Sequence, residues 1–209
     1  MSDPSTPSKP TATARKARLG ILLSGRGSNF EAIADAVEDG RISNAEIVAV
    51  ISDVPDAPGL NRALERGLNA FPIPRAGSTR REHEARIGKI LDSAGVDLVC
   101  LAGYMRLLSP EFVRRYRHRI LNIHPALLPK FPGLDAQRRA LEAGEARTGC
   151  TVHFVDEGMD TGPIVLQCSV PVLSGDTVET LSARILEEEH RIYPAAIARI
   201  LESWSAKGD

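Results

Sequence analysis

Cysteine is scarce in this chain: 209 residues contain three, Cys100, Cys150 and Cys168. They lie far apart and none has a Cys-x-x-Cys partner. Neither a disulfide framework nor a metal site follows, so the sequence implies no metal, and a reducing, cytoplasmic setting is expected. Excess charge is missing too. A net charge of −1 gives no electrostatic case for nucleic acid or an anionic membrane as partner. The one local basic cluster, Arg114-Arg115-Tyr116-Arg117 with Arg119, reads as a solvated face. No apolar run approaches the roughly 20 residues that span a bilayer. The N-terminal segment has no apolar core of the signal-peptide kind and is rich in Ser, Thr, Pro and Lys. Residues 1–17 are therefore expected to form a disordered tail, and residues 18–209 one domain. Hydrophobic content of 43% and charged content of 25% are ordinary for such a domain. A Gly-x-Ser-x-Gly nucleophile elbow is also absent, and no cysteine stands in a recognisably activating context, which argues against covalent catalysis.

What is present alternates. Apolar runs at 19–23, 45–52, 70–73 and 98–102 read as strands, the last fully apolar as in a parallel sheet buried on both faces. Amphipathic stretches at 30–37, 60–66 and 80–94 lie between them, each followed by a glycine (Gly40, Gly67, Gly95). Strand–helix alternation of this kind predicts an α/β, doubly wound, mostly parallel sheet in a single domain. Two further strands, at 150–155 and 164–172, are separated by a Gly-bearing loop rather than a helix. A last helix is expected from Asp176 as N-cap with Glu179 at N3, to about residue 204, kinked or divided at Pro194.

Three motifs carry chemistry. Ser24-Gly25-Arg26-Gly27-Ser28-Asn29 joins the first strand to the first helix, where glycines let backbone amides approach an anion and the helix dipole favours it. The third glycine of a dinucleotide fingerprint and the Lys of a P-loop are both missing, so a single phosphate monoester is the natural ligand. The alternative is a tight turn capped by Ser28 or Asn29. Next, Asn122 and His124 stand two apart at the end of a short apolar run, hence on one strand face. Pro125, Pro129, Pro132 and Gly133 follow, which makes a covering helix or central strand unlikely. Finally, Asp156-Glu157-Gly158-Met159-Asp160-Thr161-Gly162-Pro163 offers three carboxylates in one loop. Either it is a solvated turn, or it sets a carboxylate beside His124, raising the imidazole pKa towards general acid/base use. Asn, His and Asp together suit transfer through a tetrahedral oxyanion. His153 reads as a hydrogen-bonded structural residue, His83 and His118 as surface positions, and His190 as either.

On these motifs, with Ala102-Gly103-Tyr104-Met105-Arg106 and Glu189-His190-Arg191-Ile192-Tyr193-Pro194, the chain resembles the phosphoribosylglycinamide formyltransferase family, folate-dependent enzymes of purine synthesis. The resemblance runs from about residue 19 to residue 200 and implies a Rossmann-like formyltransferase fold. It implies two small-molecule substrates, glycinamide ribonucleotide and 10-formyltetrahydrofolate. Asn122, His124 and Asp160 would be catalytic. Arg26, Gly27, Ser28 and Asn29 would bind the ribonucleotide phosphate, Arg26 through its backbone only because the family commonly has Asn there, and Glu189 would contact the ribose. The folate would lie along Met105, Arg106, Leu107 and Leu108 and along Asp156, Glu157, Gly158, Met159 and Asp160, with Asn122 beside it and Arg81, or the adjacent Arg80, reaching its outer part. A monomer or homodimer is compatible with all of this. Other users of 10-formyltetrahydrofolate share the Asn-x-His-Pro element. A methionyl-tRNA formyltransferase is expected to carry a further C-terminal domain, and a formyltetrahydrofolate hydrolase a further N-terminal one. A non-catalytic nucleotide-binding module would leave the Asn, His and Asp set unexplained.

Overall fold

The computed structural model describes residues 15–206. The tail expected over 1–17 falls mostly outside the described residues, and the first strand, β1 (Ala17–Leu23), starts at its last residue. The other strands are β2 (Ala45–Ser52), β3 (Ala70–Pro72), β4 (Leu98–Leu101), β5 (Ile120–His124), β6 (Arg147–Phe154) and β7 (Ile164–Pro171). They form one sheet in the order β3-β2-β1-β4-β5-β6-β7. The pairs from β3 to β5 are parallel, whereas β5–β6 and β6–β7 are antiparallel. The doubly wound, mostly parallel expectation holds.

Side-chain alternation divides the core between the two faces. Leu19, Ile21 and Leu23 of β1 join one buried cluster with Phe30 and Ile33 of α1 (Ser28–Glu38), Leu60 and Ala63 of α2 (Pro58–Glu65), and Leu181, Ile185 and Tyr193 of the last helix. Leu22 points the other way and packs with Ile87 and Leu91 of α3 (Arg80–Ser93) and Phe112 of α4 (Pro110–Arg115). Two helical layers thus sandwich the sheet, as the fully apolar strands require.

Several local expectations need correction. The last helix, α6 (Val178–Ser205), is capped by Thr177, whose side chain accepts from Thr180 N–H, and not by Asp176. Asp176 instead binds Arg184 and accepts from Leu173 N–H. Pro194 does not divide α6; it lies buried inside a continuous helix whose packing against the sheet outweighs the lost hydrogen bond. His83 is not a surface residue: its Nε2 lies 2.7 Å from Ile73 O, and it is buried between α3 and the chain leaving β3. His118 is exposed, as expected. Helices α4 and α5 (Ala136–Glu142) had no expectation, being too short to show a periodicity.

A candidate active site at the carboxyl ends of the strands

The strand order reverses at β1 and β4, the place where open α/β sheets bind ligands beyond their carboxyl ends. The loops after β1 and β4 and the end of β5 all meet there. After β1, Gly27 takes φ +80° as N-cap of α1, and no side chain caps this helix. Its first backbone bond is Glu31 N–H to Gly27 O, so the N–H groups of the first turn have no intrahelical acceptor and point outward. The turn is therefore an open cradle of backbone amides, and the alternative of a Ser28 or Asn29 cap is not what forms. Gly27 is required twice over. Its φ is left-handed, and a Cβ there would come 2.7 Å from Gly59 Cα at the start of α2. Arg26 is exposed and Ser28 half-buried. Asn29 is buried, donating from Nδ2 to Glu189 Oε2 at 2.7 Å, while its Oδ1 has no partner. Burial pushes the Glu189 carboxyl up, and the bond from Asn29 opposes this. The cradle and Glu189 thus share one site.

At the end of β5, Asn122 and His124 do share a face, and one carboxylate reaches both. Asp160 Oδ2 lies 3.3 Å from His124 Nδ1, and Asn122 Nδ2 donates to Asp160 Oδ1 at 3.5 Å. Of the three loop carboxylates only Asp160 does this. Asp156 is spent within the loop, accepting from Gly158 N–H and Thr161 Oγ1, and Glu157 pairs with Arg114 of α4. Asp160 itself sits at φ +55° and accepts from Gly133 N–H at 2.8 Å. Burial raises its pKa, but the bond from Gly133 N–H and the neighbouring His153 and His124 side chains outweigh it and hold the carboxyl down at about 2.

The imidazole behaves differently from expectation. His124 is buried under the segment that follows it, with Nε2 2.8 Å from Phe131 O. That desolvation lowers its pKa more than Asp160 raises it. The carboxylate acts in the expected direction but does not prevail, so the resting ring is neutral at pH 7. No helix covers the pair, in line with the prolines, yet a loop does.

The residue that sequence reasoning undervalued is His153. The antiparallel register sets it opposite Asn122. Its Nδ1 donates to Phe154 O at 2.8 Å, leaving Nε2 to accept from Asn122 Nδ2 at 3.2 Å. It is structural, as expected, but what it holds is the Asn122 carboxamide. Only the β5–β6 register reveals this; nothing local in the sequence does.

The wall after β4 is apolar and open. Met105 and Leu107 are 68% and 62% exposed, leaving an apolar surface open to solvent. Arg80 and Arg81 differ in their partners. Arg80 is committed to Leu107 O and Glu84, whereas Arg81 is exposed with no side-chain partner among the described residues. Met159 and Gly158 are exposed, while Leu108 is half-buried.

Open first-turn amides, an exposed apolar surface, and a carboxamide, imidazole and carboxylate in mutual contact gather at the carboxyl edge of the sheet, the parts from which an α/β enzyme site is built. Comparison with known proteins gives the family. The formyl transferase family model matches residues 17–197. A phosphoribosylglycinamide formyltransferase of Escherichia coli is 44% identical over 189 residues, 90% of this chain and 86% of that protein. The trifunctional purine biosynthetic protein adenosine-3 of Drosophila melanogaster is 48% identical over 189 residues, but the chain spans only 14% of that protein's length. Among solved structures, glycinamide ribonucleotide transformylase 1 from Symbiobacterium toebii superposes with a TM-score of 0.89 at 52% identity, covering 91% of this chain and 90% of that one. The Brucella melitensis phosphoribosylglycinamide formyltransferase gives 0.84 at 49%, covering 89% and 96%. The chain belongs to the formyl transferase family. No helix among the described residues is long and apolar enough to cross a membrane.

Proposed function

We propose that this protein transfers the formyl group of 10-formyltetrahydrofolate to the amine of glycinamide ribonucleotide, a step of purine synthesis. The observation that carries this reading is the carboxylate of Asp160 serving His124 and Asn122 at once, at the same carboxyl edge of the sheet as the uncapped α1 cradle. The ribonucleotide phosphate sits on the backbone of Arg26, Gly27, Ser28 and Asn29, and Glu189 takes its ribose hydroxyls. The folate lies against Met105, Arg106, Leu107 and Leu108 and against the 156–160 loop, with Arg81 at its outer end.

The substrate amine displaces Phe131 O from Nε2 of His124 and attacks the formyl carbon. Asn122, aligned by His153, donates to the developing oxyanion. With Phe131 O displaced, the neutral ring carries its one proton on Nδ1 towards Asp160, and the freed Nε2 accepts the amine proton, directly or through water. Asp160 stands against Nδ1 and stabilises the imidazolium that forms, the arrangement by which a carboxylate serves a histidine base. As the carbon–N10 bond breaks, His124 returns the proton to N10. A new carbon–nitrogen bond and free tetrahydrofolate result, with no covalent enzyme intermediate. The resting pKa below the ordinary histidine value supports a ring that starts as base and finishes as acid.

Purified protein, glycinamide ribonucleotide and 10-formyltetrahydrofolate in a spectrophotometric assay test this. Folate deformylation that depends on the ribonucleotide is expected. Formate release without it points to a hydrolase, and no turnover of either kind to a binding module.

A further inference from the structure

The carboxyl ends of β2, β1 and β4 are adjacent, and one buried polar relay runs across all three. Asp53, directly after β2, has a side chain only 2% exposed. Its Oδ1 accepts from Ser24 Oγ at 2.5 Å, after β1, and its Oδ2 accepts from Arg106 Nε at 2.7 Å, in the loop after β4. An ionised carboxylate is acceptor-only, so Ser24 must turn its proton towards Asp53. The serine oxygen then faces the β4 loop, where it accepts from Met105 N–H at 2.9 Å. Ser24 N–H donates to Gly103 O at 3.0 Å, closing the relay. A second buried carboxylate, Glu84 of α3, holds the far end of the same loop through Ser109 N–H at 2.7 Å. Tyr104 lies buried between these two charges. The exposed Met105 and Leu107 therefore ride on a loop fastened from below at both ends.

We propose that Asp53 is a positioning residue for the formyl donor, setting through Ser24 and Arg106 the backbone of the 103–108 loop against which the folate binds. This rests on the function proposed above. The ribonucleotide cradle does not depend on the relay to the same degree. It is held by the Gly59 N–H bond to Gly25 O, the Gly27–Gly59 contact and the Asn29–Glu189 bond. Loss of Asp53 thus weakens the donor selectively. A carboxylate is needed rather than an amide because both partners are donors. In Asp53→Asn one of them meets an NH2 group instead of an oxygen.

The test compares the wild-type protein with Asp53→Asn and Ser24→Ala, by calorimetric titration with 10-formyltetrahydrofolate and by steady-state kinetics in both substrates. Thermal melts accompany both. The donor Kd and KM are expected to rise about tenfold in each variant, as for the loss of a hydrogen bond to a charged group. The ribonucleotide KM should stay within about twofold. Ser24→Ala retains the Asp53–Arg106 pair and carries the test if Asp53→Asn folds poorly. An unchanged donor Kd in Ser24→Ala, or parallel rises for both substrates, overturns the proposal. A wild-type protein that binds the folate without formylating the ribonucleotide overturns the acceptor assignment while the donor titration still decides the role of Asp53. One that does not bind the folate overturns both.

Discussion

Asp160 Oδ2 stands 3.3 Å from His124 Nδ1, and the histidine is nevertheless held below its ordinary pKa because burial outweighs the carboxylate. The sign of the pH dependence follows. The proposed mechanism needs the neutral ring, so the acid limb of kcat/KM for the ribonucleotide is expected below pH 6.5, the ordinary value. In Asp160→Asn the main opposition to burial is gone, leaving only the Phe131 bond against it, and the limb moves to still lower pH as the plateau falls. For stability, the folded pKa lies below the unfolded one. The contribution of His124 is complete above pH 6.5 and is lost as pH falls through the folded value. A pH–rate series on both proteins, with a histidine NMR titration, checks the direction. A limb moving to higher pH in Asp160→Asn contradicts it.

His153 supports Asn122 without touching the reacting atoms. His153→Ala leaves Asn122 Nδ2 and Phe154 O each short of a partner in a half-buried place, which costs about 1 kcal/mol. Turnover is expected to fall about tenfold through a loose oxyanion donor. His153→Gln, which restores an acceptor, should recover part of that. Chemical denaturation and single-turnover rates separate the two effects.

Gly27→Ala meets two obstacles. The left-handed backbone costs about 1–2 kcal/mol for any residue with a Cβ. The methyl would also come 2.7 Å from Gly59 Cα, a backbone atom that cannot rotate away. Lower thermal stability is expected, together with a raised KM for the ribonucleotide because the cradle amides shift. A folate KM near wild type accompanies it.

Gly133→Ala probes the cover over the imidazole. Gly133 lies at φ +80°, a Cβ there would meet Met159 Sδ at 2.8 Å, and its N–H is the one that Asp160 accepts. The variant should lose about 1 kcal/mol or more of stability. It should also raise the folate KM through the displaced 156–160 loop, as steady-state kinetics and a thermal melt would report.

Much of this was legible beforehand, for identifiable reasons. Residues 98–101 of β4 are apolar because both faces are covered, so composition alone marked the strand and the parallel sheet. Asn122 and His124 share a face because a strand repeats every two residues, which needs no tertiary knowledge. Asp160 as the chosen carboxylate of its loop rested on the family resemblance rather than on local pattern. His153 was hidden because it reaches Asn122 across an antiparallel register that sequence spacing does not encode. The net lowering of His124 was hidden as well. It depends on the 131–133 segment folding back over the ring, and a run of Pro and Gly does not announce that. Asp53 carries no motif; its meaning comes from three strand ends lying side by side.

The central claim is that His124 carries the proton through a direct transfer. The most direct test is the single-turnover rate of formyl transfer in His124→Ala, with both substrates saturating and binding of each measured separately. The account predicts a loss of about 10²–10³-fold, comparable to removing one group that stabilises the oxyanion, with both Kd values and the folded state close to wild type. Near-normal turnover in that variant would contradict it.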